Sequence, residues 1–265
     1  MNLIQSKMNL ASRVAVVTGG TGYIGQTIAN TLAELGADLI LVDRADKPEF
    51  RTQVEQTFSV QCKFLAADLE SADERASLIS SLKERAAPPS ILVNNAAFVG
   101  DSKLTGWSTP FDKQSTETWR RALEVNLTAV FELSRELAPT LGQNGQGSIV
   151  NIASIYGVVA PDYSLYEGTS MANPAAYAAS KGGLLQLTRW LSTTLAPNTR
   201  VNAISPGGVF RNQPEAFVER YCQKTPLGRM ATEEDFAGSI AYLCSDLSAY
   251  VTGQNIMVDG GWSAW

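Results

Sequence analysis

Histidine is absent from the 265 residues. That removes His-based catalytic triads and most catalytic zinc sites, and leaves Tyr, Lys, Ser, Asp and Glu for any acid–base work. Cysteine is scarce: Cys62, Cys222 and Cys244 are too few and too scattered for a disulfide framework or a zinc site, and read as core or surface thiols. A basic surplus is also missing. The net charge of −5 and a pI near 4.9 argue against nucleic acid or an anionic membrane as the main partner, because both need a basic surface. Small molecules and other protein chains are the expected partners. No apolar run reaches the roughly 18 residues of a membrane span, and residues 1–12 lack the continuous apolar core of a signal peptide. The expectation is a cytoplasmic protein with residues 1–12 as a short, loose N-terminal extension. No linker-like composition divides the remainder, so residues 13–265 read as one domain with a substantial core.

What is present is an alternation of apolar strands and amphipathic helices. Arg13–Thr18 is a continuous apolar strand leading into the turn GGTGYIG, after which Ile24, Ile28, Leu32 and Leu35 recur at helical spacing. Asp38–Asp43 is a second buried strand that ends in an acid. Further strands are expected at Gln61–Asp68, Ile91–Asn95, Ser148–Ile152, Arg200–Ile204 and Asn255–Asp259. Helices are expected at Ser71–Ala86, at Thr116–Leu141 with an apolar stripe of Trp119, Leu123, Leu127 and Val130, and at Thr232–Ser245 with a Thr232–Asp235 capping box. Phe210–Met230 reads as a mobile flap with short helices. The pattern predicts an α/β fold with a single doubly wound parallel sheet of about seven strands and helices on both faces, a Rossmann fold.

In such a sheet ligands bind outside the carboxyl ends of the strands. The glycine turn lets backbone approach a pyrophosphate at a helix N-terminus, and Asp43 stands where an acid accepts hydrogen bonds from a ribose. Gly19, Thr21, Gly22, Tyr23, Ile24, Asp43 and Arg44 are therefore candidate dinucleotide contacts. A carboxylate at position 43 repels a 2′-phosphate and favours NAD over NADP, with the adjoining Arg44 pulling the other way. Asn94 and Asn95 end an apolar strand and suit backbone bridging; Asn126, inside a helix, reads either as solvent-facing or as a satisfied core group.

The stretch NPAAYAASKGG, residues 173–183, holds a candidate proton-transfer pair, weak evidence when taken alone. Asn173 is expected as N-cap and Pro174 as first helical residue, which puts Tyr177 and Lys181 on one helical face. An ammonium beside a phenol favours the phenolate and suits the pair to proton transfer near neutral pH.

TGGTGYIG at 18–25, Asp68, NNAA at 94–97, Asn126, Ser154, YAASK at 177–181, PGG at 206–208 and TGQNIMVDGG at 252–261 occur in an order that resembles the short-chain dehydrogenase/reductase family, in its short single-domain branch. The resemblance runs from about Arg13 to Gly261. It implies Tyr177 as general acid/base, and Lys181 as the group that lowers its pKa and binds the nicotinamide ribose. Ser154 would hydrogen-bond the substrate oxygen, and Asn126 would hold a water that links Lys181 to solvent. Asp68 and Asn94 would serve the adenine side and the strand framework. Leu69, Asn95, Ala96, Ala97, Pro206, Gly207 and Val209, with Tyr177 and Lys181, complete the implied cofactor contacts. The resemblance further implies a homodimer or homotetramer, with Trp262 and Trp265 as candidates for burial between subunits or, alternatively, a frayed tail.

Three features depart from the family pattern. Tyr23 takes the middle glycine position, giving TGxxGxxG as in the extended branch; 22 residues separate Ser154 from Tyr177, more than the family usually has; and Arg211 stands where the family carries a Thr. The extra segment 161–172 is expected to bulge over the substrate side, offering Tyr163, Tyr166, Glu167, Thr169 and Ser170. Arg211 reads as a partner for a substrate anion or as a solvated loop residue. The expected reaction is NAD-dependent interconversion of a secondary alcohol and a ketone on a small polar, sugar-like substrate; the stretch 154–174 is similar to members associated with bacterial surface-sugar and nonulosonic acid pathways. The alternatives are an extended-type nucleotide-sugar epimerase or dehydratase, and a non-catalytic NAD-binding regulator.

Overall fold

Strand residues with alternate side chains buried on opposite faces need helices on both sides, and the computed structural model has that arrangement. It describes residues 2–99, 104–169 and 171–265. In chain order the elements are α1 (Leu3–Met8), β1 (Val14–Thr18), α2 (Tyr23–Glu34), β2 (Asp38–Asp43), α3 (Pro48–Phe58), β3 (Cys62–Ala66), α4 (Ala72–Lys83) and β4 (Ile91–Asn94). There follow α5 (Thr116–Leu123), α6 (Ala129–Leu141), β5 (Gly147–Ile152), α7 (Ala175–Thr194), β6 (Thr199–Pro206), α8 (Glu215–Lys224), α9 (Ala237–Cys244) and β7 (Asn255–Val258).

The seven strands form one sheet in the order β3-β2-β1-β4-β5-β6-β7, and every pairing is parallel. Ala15 and Val17 pack with Ile28 and Leu32 of α2, Val54 of α3, and Ile240 and Leu243 of α9. Val14 and Val16 face the other way, onto Leu78 and Leu82 of α4, Leu133 and Leu137 of α6, and Leu191 of α7. The strand order reverses between β1 and β4, so a crevice opens there at the carboxyl ends of the strands. Among the described residues no helix is long and apolar enough to cross a membrane.

Several local expectations are corrected. Within the N-terminal extension, residues 3–8 form the exposed helix α1 with a capping box from Asn2 and Gln5, and Leu10 after it is fully buried. The helix α3 was not expected, because Val54 is its one buried residue and its sequence carries little apolar periodicity. The stripe through Trp119 holds only at its far end: Val130 is buried and Leu127 packs against it, whereas Trp119 is exposed and the buried positions up to the π turn are Thr118, Ala122 and Asn126. The cause is a π turn at Glu124–Thr128 between α5 and α6, whose extra residue rotates one helix face relative to the other. Pro174, with extended backbone, is the N-cap of α7, so helix begins one residue later than expected and Asn173 is not its cap. The capping predictions at Ser71 and Thr232 agree with the structure. The segment from Phe210 to Met230 is tied down, with Phe210 N–H donating to Ala231 O at 2.9 Å and Ala231 N–H donating to Gly208 O at 2.9 Å.

One buried charge anchors the π turn. Arg75 of α4 is almost fully buried, donating to Glu124 at 2.5 Å, to Glu132 at 2.7 Å and to the Leu69 carbonyl at 2.8 Å. Replacing Arg75 with Met strands two partly hydrated carboxylates, and the expected loss is about 2–4 kcal/mol. Urea denaturation measures it; a loss below about 1 kcal/mol would mean that packing alone holds the π turn.

Candidate active site

The glycine turn fixes one wall of a cleft of about 920 Å³ at the switch point. Gly19 has φ +62°, and a Cβ on Gly25 would lie 2.0 Å from the Gly19 carbonyl oxygen, so both positions require glycine. Tyr23 is the first residue of α2, which shows that the altered glycine spacing still delivers a helix N-terminus to the cleft. Gly22 caps that helix without a side chain, leaving room for an anion against the first N–H groups. The turn is braced from two sides. Asn95 donates to the carbonyls of Thr18 and Gly19, each at 3.0 Å. The Asp43 carboxylate accepts from the Thr21 hydroxyl at 2.8 Å and the Thr21 N–H at 3.2 Å, while its other oxygen accepts from Arg44 N–H at 2.8 Å.

Most of the expected cofactor contacts converge here. Gly19, Gly22, Tyr23, Ile24, Asp43 and Arg44 line the cleft on one side; Asp68, Leu69, Asn95, Ala96 and Ala97 line it at the next strand ends; Pro206, Gly207 and Val209 close the far side. Thr21 does not line it; buried, it holds Asp43 instead. Asn94 belongs to the sheet rather than the cleft, donating to Asn151 Oδ1 at 2.8 Å, and Asn151 donates to Thr188 at 2.9 Å. These residues fit a dinucleotide: a glycine cradle that a Cβ would fill, an open helix N-terminus and a ribose-directed acid.

At the inner end Ser154, Tyr177 and Lys181 line the same cleft. The Lys181 ammonium donates to the Ile152 carbonyl at 2.7 Å and lies 5.7 Å from the centre of the Tyr177 ring. Burial brings the Lys181 pKa down to about 8. Burial likewise pushes Tyr177 up, and the neighbouring Ser154 hydroxyl acts in the opposite direction. The lowering of the tyrosine expected from the lysine is absent: desolvation sets the direction at both groups. Asn126 is fully buried outside the cleft, accepting from Phe98 N–H at 2.6 Å and donating to Ser180 Oγ at 3.0 Å. It is the satisfied core group of the two readings, and it clamps the loop after β4 to the residue preceding Lys181.

The inserted segment behaves differently from expectation. Tyr163 is 65% exposed, Tyr166 donates to or accepts from Tyr156 at 2.7 Å, and neither lines the cleft. Asp162 pairs with Lys224, Arg220 donates to the Glu167 carbonyl at 2.5 Å, and Leu165 is fully buried. The insertion therefore spends its side chains on α8, and Met171 is its contribution to the cleft among the described residues. Ser170 lies outside the described residues. Trp262 is buried in its own chain, stacked on Tyr221 at 5.9 Å, while Trp265 is 81% exposed.

Sequence reasoning missed Arg121 and Glu70, a two-pronged pair at 2.7 and 3.1 Å on the cleft wall, and Gln213, which braces the loop after β6 through the Val209 carbonyl at 2.8 Å. No local pattern signals residues 51 positions apart, as Glu70 and Arg121 are. Among the described residues no cluster of potential metal ligands occurs.

A family model described as enoyl-(acyl carrier protein) reductase matches residues 21–263. The chain is 34% identical over 263 residues to galactitol 2-dehydrogenase (L-tagatose-forming) of Cereibacter sphaeroides, with 95% of each chain covered. Among solved structures it is similar to a short-chain dehydrogenase of Leptospira borgpetersenii with bound NAD+, at 32% identity and TM-score 0.83, covering 99% of this chain and 96% of that one. It is also similar to gluconate 5-dehydrogenase of Burkholderia cenocepacia in complex with NADP and tartrate, at 27% identity and TM-score 0.84, covering 99% of both.

The buried lysine gives the site a pH signature. Because Lys181 sits at about 8 rather than its ordinary 10.5, the unfolded chain binds more protons than the folded one between those values. Stability relative to a Lys181→Met variant should therefore rise across that window, by on the order of 3 kcal/mol. Denaturation of both proteins on either side of the window measures the change; a constant difference would refute the burial-driven shift.

Proposed function

Because the chain belongs to the short-chain dehydrogenase/reductase family, we propose that it interconverts a secondary alcohol and a ketone on a small polar, sugar-like substrate, with NAD(H) as the partner. The observation that carries this reading is the single cleft shared by the glycine turn, Asp43, Ser154, Tyr177 and Lys181. When bound, a nicotinamide dinucleotide would supply or accept the hydride. Tyr177 gives its phenolic proton to the carbonyl oxygen in reduction and takes the hydroxyl proton in oxidation. Ser154 hydrogen-bonds that same oxygen as charge develops on it. Lys181, held by the Ile152 carbonyl, orients against the ribose and bears its charge below pH about 8. Asn126 acts through position, fixing Phe98 against Ser180.

Burial that raises Tyr177 keeps it protonated at neutral pH, which suits it to the reductive direction. Oxidation of the alcohol should then accelerate as pH rises from neutral, whereas reduction should hold steady until the pH exceeds the ordinary tyrosine range. Tyr177→Phe is expected to lower turnover by about a hundredfold or more in both directions while leaving dinucleotide affinity nearly unchanged. Steady-state rates with fluorescence titration of NADH test this; retained turnover in the Phe variant would remove Tyr177 from the chemistry.

The sugar-like substrate is supported by the names of the galactitol and gluconate dehydrogenases. A panel of polyols, sugar acids and keto-sugars should be turned over better than hydrophobic ketones; the reverse ranking would sink the substrate class. Preference for NAD rests on Asp43. Asp43→Ser should therefore shift the kcat/KM ratio toward NADP, and an unchanged ratio would mean that Arg44 or another group sets the choice. A homo-oligomer forms part of the same reading, and sedimentation velocity decides it.

A further inference from the structure

Two departures from the family pattern, far apart in sequence, meet in space. Tyr23, on the first turn of α2, is 69% exposed, and the Arg211 guanidinium carbon lies 4.3 Å from the centre of its ring. Tyr23 follows β1 and Arg211 follows β6, and both line the cleft, so the contact joins two of its walls. The Arg211 side is built rather than loose. Its N–H donates to Gln213 Oε1 at 2.7 Å, and Gln213 in turn donates to the Val209 carbonyl at 2.8 Å. One guanidinium nitrogen, Nη1, pairs with Glu233 and reaches the Phe210 carbonyl at 3.3 Å. Nε and Nη2 make no hydrogen bond among the described residues. A planar cation is thus held over an aromatic face at the N-terminus of α2, where the anionic part of a dinucleotide is received.

We propose that Tyr23 and Arg211 form a clasp across the cleft, with Arg211 turning its unengaged N–H groups to the diphosphate of the bound dinucleotide, so that the pair slows cofactor release. The inference rests on the dinucleotide-binding reading of the cleft. Glu233 holds Nη1 and offsets part of the guanidinium charge that the diphosphate would meet, which makes it a brake on binding. Arg211 alone would be a mobile rim cation; stacking on Tyr23 fixes its plane and orders it before the ligand arrives.

The test is release of NADH, and in parallel NADPH, from the full-length protein, followed by fluorescence after displacement with excess oxidised cofactor. Tyr23→Leu and Arg211→Gln should each speed release by about three- to tenfold. The double variant should release little faster than Arg211→Gln alone, because one clasp is lost either way. Glu233→Gln should tighten binding, and Arg211→Lys, which keeps the charge without the planar stack, should behave nearer to Arg211→Gln than to the wild type. Thermal melting controls for folding. Unchanged release in both single variants, or effects that simply multiply in the double, overturns the clasp while leaving the functional reading intact. A wild type that binds neither nucleotide overturns both.

Discussion

The first turn of α2 sits so close to the end of β1 that a Cβ on Gly25 would lie 2.0 Å from the Gly19 carbonyl oxygen. That approach brings a helix N-terminus to the switch point of the sheet, and most of the cleft is arranged around it. Thr18, Asn95 and Asp43 then act as braces: Asn95 satisfies the turn's carbonyls, and Asp43 receives Thr21. The acid that faces the cofactor side also ties the turn together. In the proposed reading its charge bears on nucleotide choice as well as on local structure, so a substitution at Asp43 would perturb both together.

At the opposite end of the cleft the governing effect is desolvation. Tyr177 and Lys181 share a buried environment that drives the phenol up and the ammonium down, so each is held closer to its neutral form than in water. The helix that carries them is fixed by a buried polar network. Asn94, Asn151 and Thr188 link β4, β5 and α7, and Asn126 joins the loop after β4 to Ser180. Unpaired buried amides are costly, so these bonds specify one seating of α7 on the sheet. Through Arg75 the same rigidity extends to the π turn that carries Asn126.

The parallel sheet was legible because its strands are continuous apolar runs, and the crevice was legible because the motifs fall at strand ends. Asp38–Asp43 was read to the residue for that reason. What stayed hidden is non-local. The π turn at Glu124–Thr128 shifts a helical face by an amount no apolar period records, which displaced Trp119 to the surface. The tyrosines of the inserted segment looked like substrate contacts because the segment is polar and lies between Ser154 and Tyr177. Its partners on α8, Arg220 and Lys224, come more than 50 residues later, and only their placement reveals that the segment is a packing element.

The departures from the family pattern share a location. Tyr23, Arg211 and the inserted segment all sit at or beside the rim of the cleft, while Ser154, Tyr177 and Lys181 lie deeper within it. A rim is where sequence can vary at little cost to the chemistry proposed for the buried end. It is also where entry, exit and selection of ligands are decided. The insertion and α8 are joined by Asp162–Lys224, by Arg220 on the Glu167 carbonyl, and by the contact of Tyr166 with Phe217 at 5.5 Å. A movement of α8 therefore carries the insertion and Met171 with it. Arg211 stands in the loop that leads into α8, so the residue that reaches across to Tyr23 is linked through that helix to the insertion that contributes Met171 to the cleft.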